Sequence, residues 1–223
     1  MRNFILYILI IIPEILFGQD IREIFVNIPL EAFPSSGIER FLIEKREYLM
    51  YKGNLVKKEE LRDNEVFIDT IDVKNGYIKC TAIRGLSNST IEMCYWKTND
   101  GQKLIGLNYS YCATTTCGSN LFFYNLIDNK FIKHSYPSPV IDKLSIDMFL
   151  DIENSSLKIK NNKSITNTFD EILADMFNIL YYLPQNGKDI IAKIDCGMDE
   201  NLFVFKRKEI VLRWDGNRFN IKK

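Results

Sequence analysis

Residues 103–126, KLIGLNYSYCATTTCGSNLFFYNL, contain the clearest evidence in the sequence for the type of fold. Apolar and polar residues alternate on both sides of a short loop that Cys112 and Cys117 flank, and a period of two is typical of β-strands. The spacing predicts a hairpin of two antiparallel strands, over 103–112 and 120–126. In this register two apolar pairs share one face: Ile105 with Tyr124, and Leu107 with Phe122.

The same alternation continues on both sides of this hairpin. The connections are short and carry turn residues, such as Asn99-Asp100-Gly101, so they leave no room for the crossovers that parallel strands need. We therefore expect one antiparallel meander. Its strands are predicted at 66–72, 77–84, 90–97, 103–112, 120–126 and 131–134.

Helices are predicted before this meander. Asp20-Ile21-Arg22-Glu23 has the form of a capping box, and apolar residues follow it at helical spacing as far as Ile28. A second capping box, Ser36-Gly37-Ile38-Glu39, opens another amphipathic helix that continues to Leu49. The sequence therefore predicts two helices near its N-terminus.

The C-terminal part combines a polar segment, a helix and strands. Residues 145–152 favour a short helix, and 153–167 are rich in Asn, Ser and Lys, which favours a flexible loop. A third capping box at Thr168 opens the strongest amphipathic helix, whose buried face extends to Ile179, Leu180 and Leu183. A second meander is predicted at 189–195, 202–206, 209–214 and 218–222.

In the last hairpin, Asp215-Gly216 is predicted to form a two-residue turn that places Leu212 opposite Phe219. The predicted fold class is α+β, with antiparallel meanders and helices packed on one side. The expected segments are 19–152, a linker at 153–167, and 168–223, arranged as one domain or two.

The N-terminal residues have the pattern of a secretory signal. Arg2 makes the start basic, nine apolar residues follow from Phe4 to Ile12, and Gly18 is a small residue at the expected cleavage position. Nine residues are about half of the roughly twenty that a membrane-spanning helix needs. We therefore expect a signal peptide at 1–18 and an exported protein of the periplasm or cell surface, with no transmembrane segment after cleavage.

All five cysteines follow the predicted cleavage position, where an oxidising compartment permits disulfides. The hairpin loop favours a bond between Cys112 and Cys117. A second candidate joins Cys80 to Cys94, if their strands pair across a four-residue turn, and Cys196 is left over. The alternative to these disulfides is free thiols. The cysteine spacing suits neither a C-x-x-C redox centre nor a zinc site, so no metal is expected.

Composition excludes several classes of protein. The 29 basic and 29 acidic residues do not form the strongly basic chain of a sequence-independent nucleic-acid binder. An apolar fraction of 46% excludes a disordered chain. His134 is the single histidine, so sites that need two histidines are excluded, and no cofactor motif is present.

Two groups of residues are candidates for function. Aromatic residues near the cysteine loop, Tyr109, Tyr111 and Phe123, are suited to binding a protein or a glycan, although strand alternation also explains them as core residues. Asp147 and Asp151 lie four residues apart, and paired carboxylates carry out glycoside hydrolysis. Such a pair is also common on the solvated face of a helix.

The order of these features resembles a family of exported Bacteroidetes-type proteins of similar length, known as a domain of unknown function. The resemblance rests on the helix ending at Ile28-Pro29, the helix through Phe41-Leu42, the strand pair 77–97 and the cysteine loop with its aromatic strand. It implies location and fold, and no activity.

The expected function is therefore that of an exported, non-enzymatic binding or accessory protein, with an unknown protein or glycan as its ligand. A carboxylate-dependent hydrolase and an inhibitor of a secreted enzyme are the alternatives. The inhibitor would present the Cys112–Cys117 loop as a rigid wedge.

Overall fold

The computed structural model describes residues 20–29, 66–84, 87–112, 116–134, 139–161, 177–197 and 200–222. Two antiparallel sheets of six and four strands, together with short helices, confirm the predicted α+β class with antiparallel meanders. Three predicted segments lie outside the described residues: the signal peptide at 1–18, the second N-terminal helix, and the helix start at Thr168.

The six-stranded sheet follows chain order. Its strands are β1 (Val66–Asp72), β2 (Tyr77–Arg84), β3 (Ser87–Lys97), β4 (Lys103–Cys112), β5 (Cys117–Ile127) and β6 (Lys130–His134). All six predicted strands are present. The register predicted for β4 and β5 is confirmed, with Ile105 opposite Tyr124 and Leu107 opposite Phe122.

The register between β2 and β3 differs from the prediction. Arg84 lies opposite Ser87, so two residues connect the strands instead of four. Cys80 therefore lies opposite Ile91, three residues from Cys94. An odd shift places two side chains on opposite faces of a sheet, so the predicted Cys80–Cys94 disulfide is wrong. Both cysteines are buried thiols.

Helix α1 (Ile21–Asn27) covers one face of this sheet, as its apolar spacing predicts. The Asp20 carboxylate caps it by accepting hydrogen bonds from the backbone N–H groups of Arg22 and Glu23, at 2.8 and 3.3 Å. Side chains of α1 and of alternate strand residues form the first core cluster, which includes Ile24, Phe25, Ile78, Met93, Ile105 and Leu107.

The second sheet covers the opposite face. Its strands are β7 (Asn178–Tyr182), β8 (Asp189–Asp195), β9 (Glu209–Trp214) and β10 (Phe219–Ile221), and α2 (Pro139–Asp142) packs nearby. Trp96 of β3 lies at the centre of this interface, with its ring 6.3 Å from that of Trp214 and 5.1 Å from that of Phe219. The two β regions are thus two sheets that share one core.

Residues 145–161 differ from the prediction. The predicted short helix is a 3₁₀ turn, Ile146–Met148, followed by a bridge from Leu150 to Phe205. Helix α3 (Ile152–Asn161) occupies much of the predicted loop. Asp151 caps its first turn by accepting a hydrogen bond from Asn154 N, and the buried Ser155 hydroxyl ties the helix to the following segment by accepting from Val204 N at 2.9 Å.

Two further segments were predicted wrongly. Ile179 and Leu180, expected on a helix, belong to β7, because this segment pairs with β8. Residues 202–206 are not a strand; the 3₁₀ turn Glu200–Leu202 and the bridge at Phe205 lie there instead.

The last hairpin is confirmed, but its turn is longer than predicted. Trp214 pairs with Phe219, and Leu212 pairs with Ile221, which leaves four residues in the loop. The Asp215 carboxylate accepts from the N–H groups of both Asn217 and Arg218 at 2.9 Å. These bonds stabilise the longer turn. The two-residue shift keeps every side chain on its predicted face.

Helices in the described ranges are all too short or too polar to cross a membrane.

Candidate functional site

The Cys112–Cys117 disulfide predicted from the sequence is present, with the two cysteines opposite each other at the end of β4 and β5. The backbone N–H of Cys117 donates to Asp195 Oδ2 at 2.8 Å. Since Asp195 ends β8, this bond ties the disulfide to the second sheet. Cys196, left over in the prediction, is a buried thiol.

Two rows of polar residues cross the six-stranded sheet next to the disulfide. Residues in register across the strands form each row. Alternate residues of a strand share a face, so both rows and the disulfide lie on the face that the second sheet covers in part. We call them the polar rows: the first is Lys79, Glu92 and Asn108, and the second is Thr81, Thr90, Ser110 and Ser119.

Part of the polar rows holds strand β7 in place. Asn108 Nδ2 donates to Tyr181 O at 2.6 Å, and Tyr181 N donates to Ser119 Oγ at 3.2 Å. Leu183 N donates to Glu92 Oε2 at 3.3 Å. Because β7 is an edge strand of its own sheet, these side chains bind backbone groups that an edge leaves unpaired.

Glu92 is the buried carboxylate of this network, with 6% of its surface exposed. Besides Leu183 N, it accepts from Tyr77 Oη at 2.7 Å and Asn108 Nδ2 at 3.2 Å. Burial, and next the negative charge of Glu92, raise the pKa of Tyr77 far above its usual range, so the phenol keeps its proton. Three donors therefore satisfy a charge that would otherwise be costly to bury.

A cleft of about 180 Å³ lies between the polar rows and β7. Its floor includes Lys79, Thr90 and Ser110, and the disulfide lies at its edge. The hydroxyls of Thr90 and Ser110 make no hydrogen bond within the described part of the chain. On the β7 side, Tyr182 is 43% exposed, and Lys193 Nζ lies 5.7 Å from the centroid of its ring. The cleft thus combines two hydroxyls that have no hydrogen bond in this part of the chain with an exposed aromatic residue among its lining.

The structure does not bring together the three aromatic residues predicted to bind a ligand. The rings of Tyr109 and Tyr111 stack with centroids 6.0 Å apart on the α1 side of the sheet; Tyr109 is buried and Tyr111 is 44% exposed. Phe123 is buried on the opposite face, 5.8 Å from the ring of Phe219. Phe123 is therefore a core residue.

The two aspartates considered for hydrolysis do not share a helix face. Asp147 lies on the 3₁₀ turn and accepts from the Ser145 hydroxyl, whereas Asp151 precedes α3. The side-chain hydrogen bond from Asn154 is the largest cause of a lowered pKa at Asp151, which favours its ionised form. Asp151 is therefore poorly suited to donate a proton as a general acid.

The sequence-based predictions did not include the polar rows. The available signal was the repetition of polar residues at alternate positions of strands that are otherwise apolar: Thr90 and Glu92 on β3, and Asn108 and Ser110 on β4. Strand alternation places each pair on one face. Their alignment into rows depends on the register between strands.

The fold resembles that of one uncharacterized bacterial domain. That solved structure is described as a domain of an uncharacterized protein from Porphyromonas gingivalis W83, and the comparison gives a TM-score of 0.50 at 11% sequence identity. The match covers 92% of this chain and 100% of that chain. No family model and no curated protein matches the chain. At this identity the likeness concerns the fold alone.

Proposed function

We propose that this chain is an exported, non-enzymatic binding protein, and that the cleft beside the Cys112–Cys117 disulfide is its ligand site. One observation carries the proposal: Thr90 and Ser110, whose hydroxyls have no hydrogen-bond partner in the described residues, line a cavity together with the exposed Tyr182. Small-molecule sites typically combine a concave surface with a few polar groups that orient the ligand.

The groups around the cleft are suited to recognition. The carboxylate of Glu92, which lines the cleft, already accepts three hydrogen bonds that hold β7 and Tyr77 in place. Its role is to keep one wall of the cleft rigid, which lowers the entropic cost of binding. The disulfide and its bond to Asp195 restrain the neighbouring edge in the same way.

Export is supported by two independent features. Residues 1–18 combine a basic start, an apolar run and a small final residue. The Cys112–Cys117 disulfide is of the kind that persists in oxidising compartments. Intact mass of the protein recovered from its native cells tests this part: a chain beginning at Gln19 with two oxidised cysteines supports export, and an uncleaved, fully reduced chain overturns it.

Binding is tested with an array of defined oligosaccharides and synthetic peptides. The Ser110→Trp variant fills the cleft, and Tyr182→Ala removes the exposed ring without altering the floor. Ser156→Trp on α3 is the matched control, because it adds the same side chain away from the cleft.

We expect the native protein and Ser156→Trp to bind the same probes, and both cleft variants to lose them while keeping the native circular dichroism spectrum. Binding that survives in the folded Tyr182→Ala and Ser110→Trp variants would place the ligand elsewhere and overturn the proposal. The absence of any binding by the native protein would overturn it as well.

A further inference from the structure

The chemistry of the cleft identifies a class of ligand, on the assumption that the cleft is the binding site proposed above. We propose that it accepts one uncharged sugar residue, whose hydroxyls bind Thr90 and Ser110 and whose ring lies against Tyr182. The inference rests on the charge, hydrogen-bonding groups and size of the cleft.

The two charged residues that line the cleft have opposite signs. Lys79 and Glu92 are directly opposite each other on β2 and β3, and both line the cleft. Within the described residues Lys79 makes no ion pair, but the buried carboxylate of its cross-strand neighbour offsets its charge. An anionic ligand drawn to Lys79 would be repelled by Glu92, and a cationic ligand would meet the reverse. An uncharged ligand meets neither penalty.

The hydrogen-bonding groups of the floor suit a polyhydroxyl compound. Thr90 and Ser110 are a cross-strand pair in register, and such pairs have Cβ atoms roughly 4.5–5.5 Å apart. Each hydroxyl can donate one hydrogen bond and accept two, as sugar hydroxyls can. A row of two such groups can therefore exchange donors and acceptors with neighbouring hydroxyls of one ring.

The remaining wall and the volume suit a single sugar ring. Tyr182 presents 43% of its surface, and an aromatic ring offers an apolar face to the C–H groups of a sugar. The volume of about 180 Å³ is below the roughly 300–1,000 Å³ of sites for drug-sized molecules. The cleft thus has room for one residue, either alone or at the end of a longer chain.

The experiment compares four trisaccharides by isothermal titration calorimetry. Maltotriose, mannotriose and triacetylchitotriose are uncharged, whereas trigalacturonate has the same number of rings and three carboxylates. The variant Thr90→Val with Ser110→Ala removes both hydroxyls at nearly constant volume. Ser89→Ala is its control, because Ser89 lies on the same strand but bonds Tyr109 on the opposite face.

We expect at least one uncharged trisaccharide to bind the native protein and Ser89→Ala equally, and the double variant to bind it about 10- to 100-fold more weakly, as for two neutral hydrogen bonds. Failure of all three uncharged sugars, or an unchanged affinity in the double variant, would overturn the sugar assignment. If peptides or trigalacturonate bind instead and Ser110→Trp abolishes that binding, the assignment fails while the proposed binding function stands.

Discussion

The hydroxyl of Ser119 donates a hydrogen bond to Asn108 Oδ1 over 2.6 Å. The same hydroxyl accepts from Tyr181 N at 3.2 Å, and Asn108 Nδ2 donates to Tyr181 O at 2.6 Å. The side chains of Asn108 and Ser119 in the six-stranded sheet thus bind the backbone carbonyl and the backbone N–H of Tyr181 in the four-stranded sheet. This arrangement determines where β7 crosses the large sheet, and hence where the cleft lies.

Replacing Asn108 should weaken the contact between the sheets. Asn108 has no exposed surface. In Asn108→Ala, the Tyr181 carbonyl and the Glu92 carboxylate each lose the hydrogen bond that Asn108 Nδ2 donates to them. A buried group that loses its partner costs about 1–3 kcal/mol, and we expect a loss of this size in the free energy of unfolding measured with urea. The exposed Asn120→Ala on β5 is the control and should change it by less than about 0.5 kcal/mol. Equal effects of the two changes would contradict this role of Asn108.

The disulfide should add a modest amount of stability. It closes a short loop, with a sequence separation of five residues, and the chain-entropy relation gives about 2 kcal/mol for a loop of this length. Cys112→Ala with Cys117→Ala should lower the free energy of unfolding by that amount.

The thiols of Cys80, Cys94 and Cys196 are all buried, and burial raises the pKa of Cys80 and Cys94, so native protein treated with iodoacetamide should keep its mass. After unfolding, three thiols should react, those of Cys80, Cys94 and Cys196. Two outcomes would show that the Cys112–Cys117 disulfide does not form. One is five reactive thiols in unfolded protein without reductant, and the other is an unchanged free energy of unfolding in the variant that lacks Cys112 and Cys117.

Tyr77 should make stability depend on alkaline pH. Its pKa is raised in the folded protein, whereas an unfolded tyrosine ionises near about pH 10. Its contribution is therefore complete below about pH 10 and is lost as the pH rises toward the folded pKa. Tyr77→Phe removes the bond to Glu92, which should cost about 1.5–3 kcal/mol at neutral pH.

The difference between native protein and Tyr77→Phe should shrink above about pH 10, because the variant has no phenol to ionise at this position. Urea unfolding at about pH 7 and about pH 11 measures it. Tyr111→Phe, at an exposed ring, is the control and should match the native protein at neutral pH. A difference that stays constant with pH would contradict the prediction.

Two glycines on paired strands should differ in their tolerance of alanine. A Cβ at Gly106 would lie 2.6 Å from the Trp96 ring, which is 3% exposed and packed into the core. A Cβ at Gly118 would overlap the end of the Tyr111 ring, which is 44% exposed and has space to turn into solvent. We expect Gly106→Ala to cost about 1–3 kcal/mol through overpacking.

Gly118→Ala should cost clearly less, and Tyr111→Ala in the same chain should remove most of its effect. Thermal or urea unfolding of the three variants measures both expectations. Equal losses at Gly106 and Gly118 would show that the Tyr111 ring is held as firmly as that of Trp96.

The register of β4 with β5 was predicted correctly and that of β2 with β3 was not, because the strands differ in how apolar residues are distributed over their two faces. Around the cysteine loop, a one-residue slip would separate Cys112 from Cys117 and move Ile105 away from Tyr124, so the pattern of residues allows one register. On β3, apolar residues such as Met93 and Trp96 are buried on opposite faces. The apolar pattern therefore fits several registers of β2 against β3 equally well. The length of the turn between the two strands selects the register.

Strand β7 shows how tertiary pairing outweighs local periodicity. Ile179, Leu180 and Leu183 have the spacing of a helix face, and the preceding residues share it. In the fold, β7 pairs with β8 on one edge, and its other edge receives bonds from Asn108 and Ser119. Hydrogen bonding to both edges favours the extended form.

Four features follow from the sequence alone: the six-stranded meander, the capped first helix, the register of β4 with β5 and the Cys112–Cys117 disulfide. Each depends on residues close in the chain, whose periodicity and turn chemistry leave few alternatives. The cleft depends on the tertiary fold, since the hydrogen bonds that close it join residues 62, 73 and 91 positions apart. Local patterns contain no information about such distances, because they depend on how two finished sheets pack against each other.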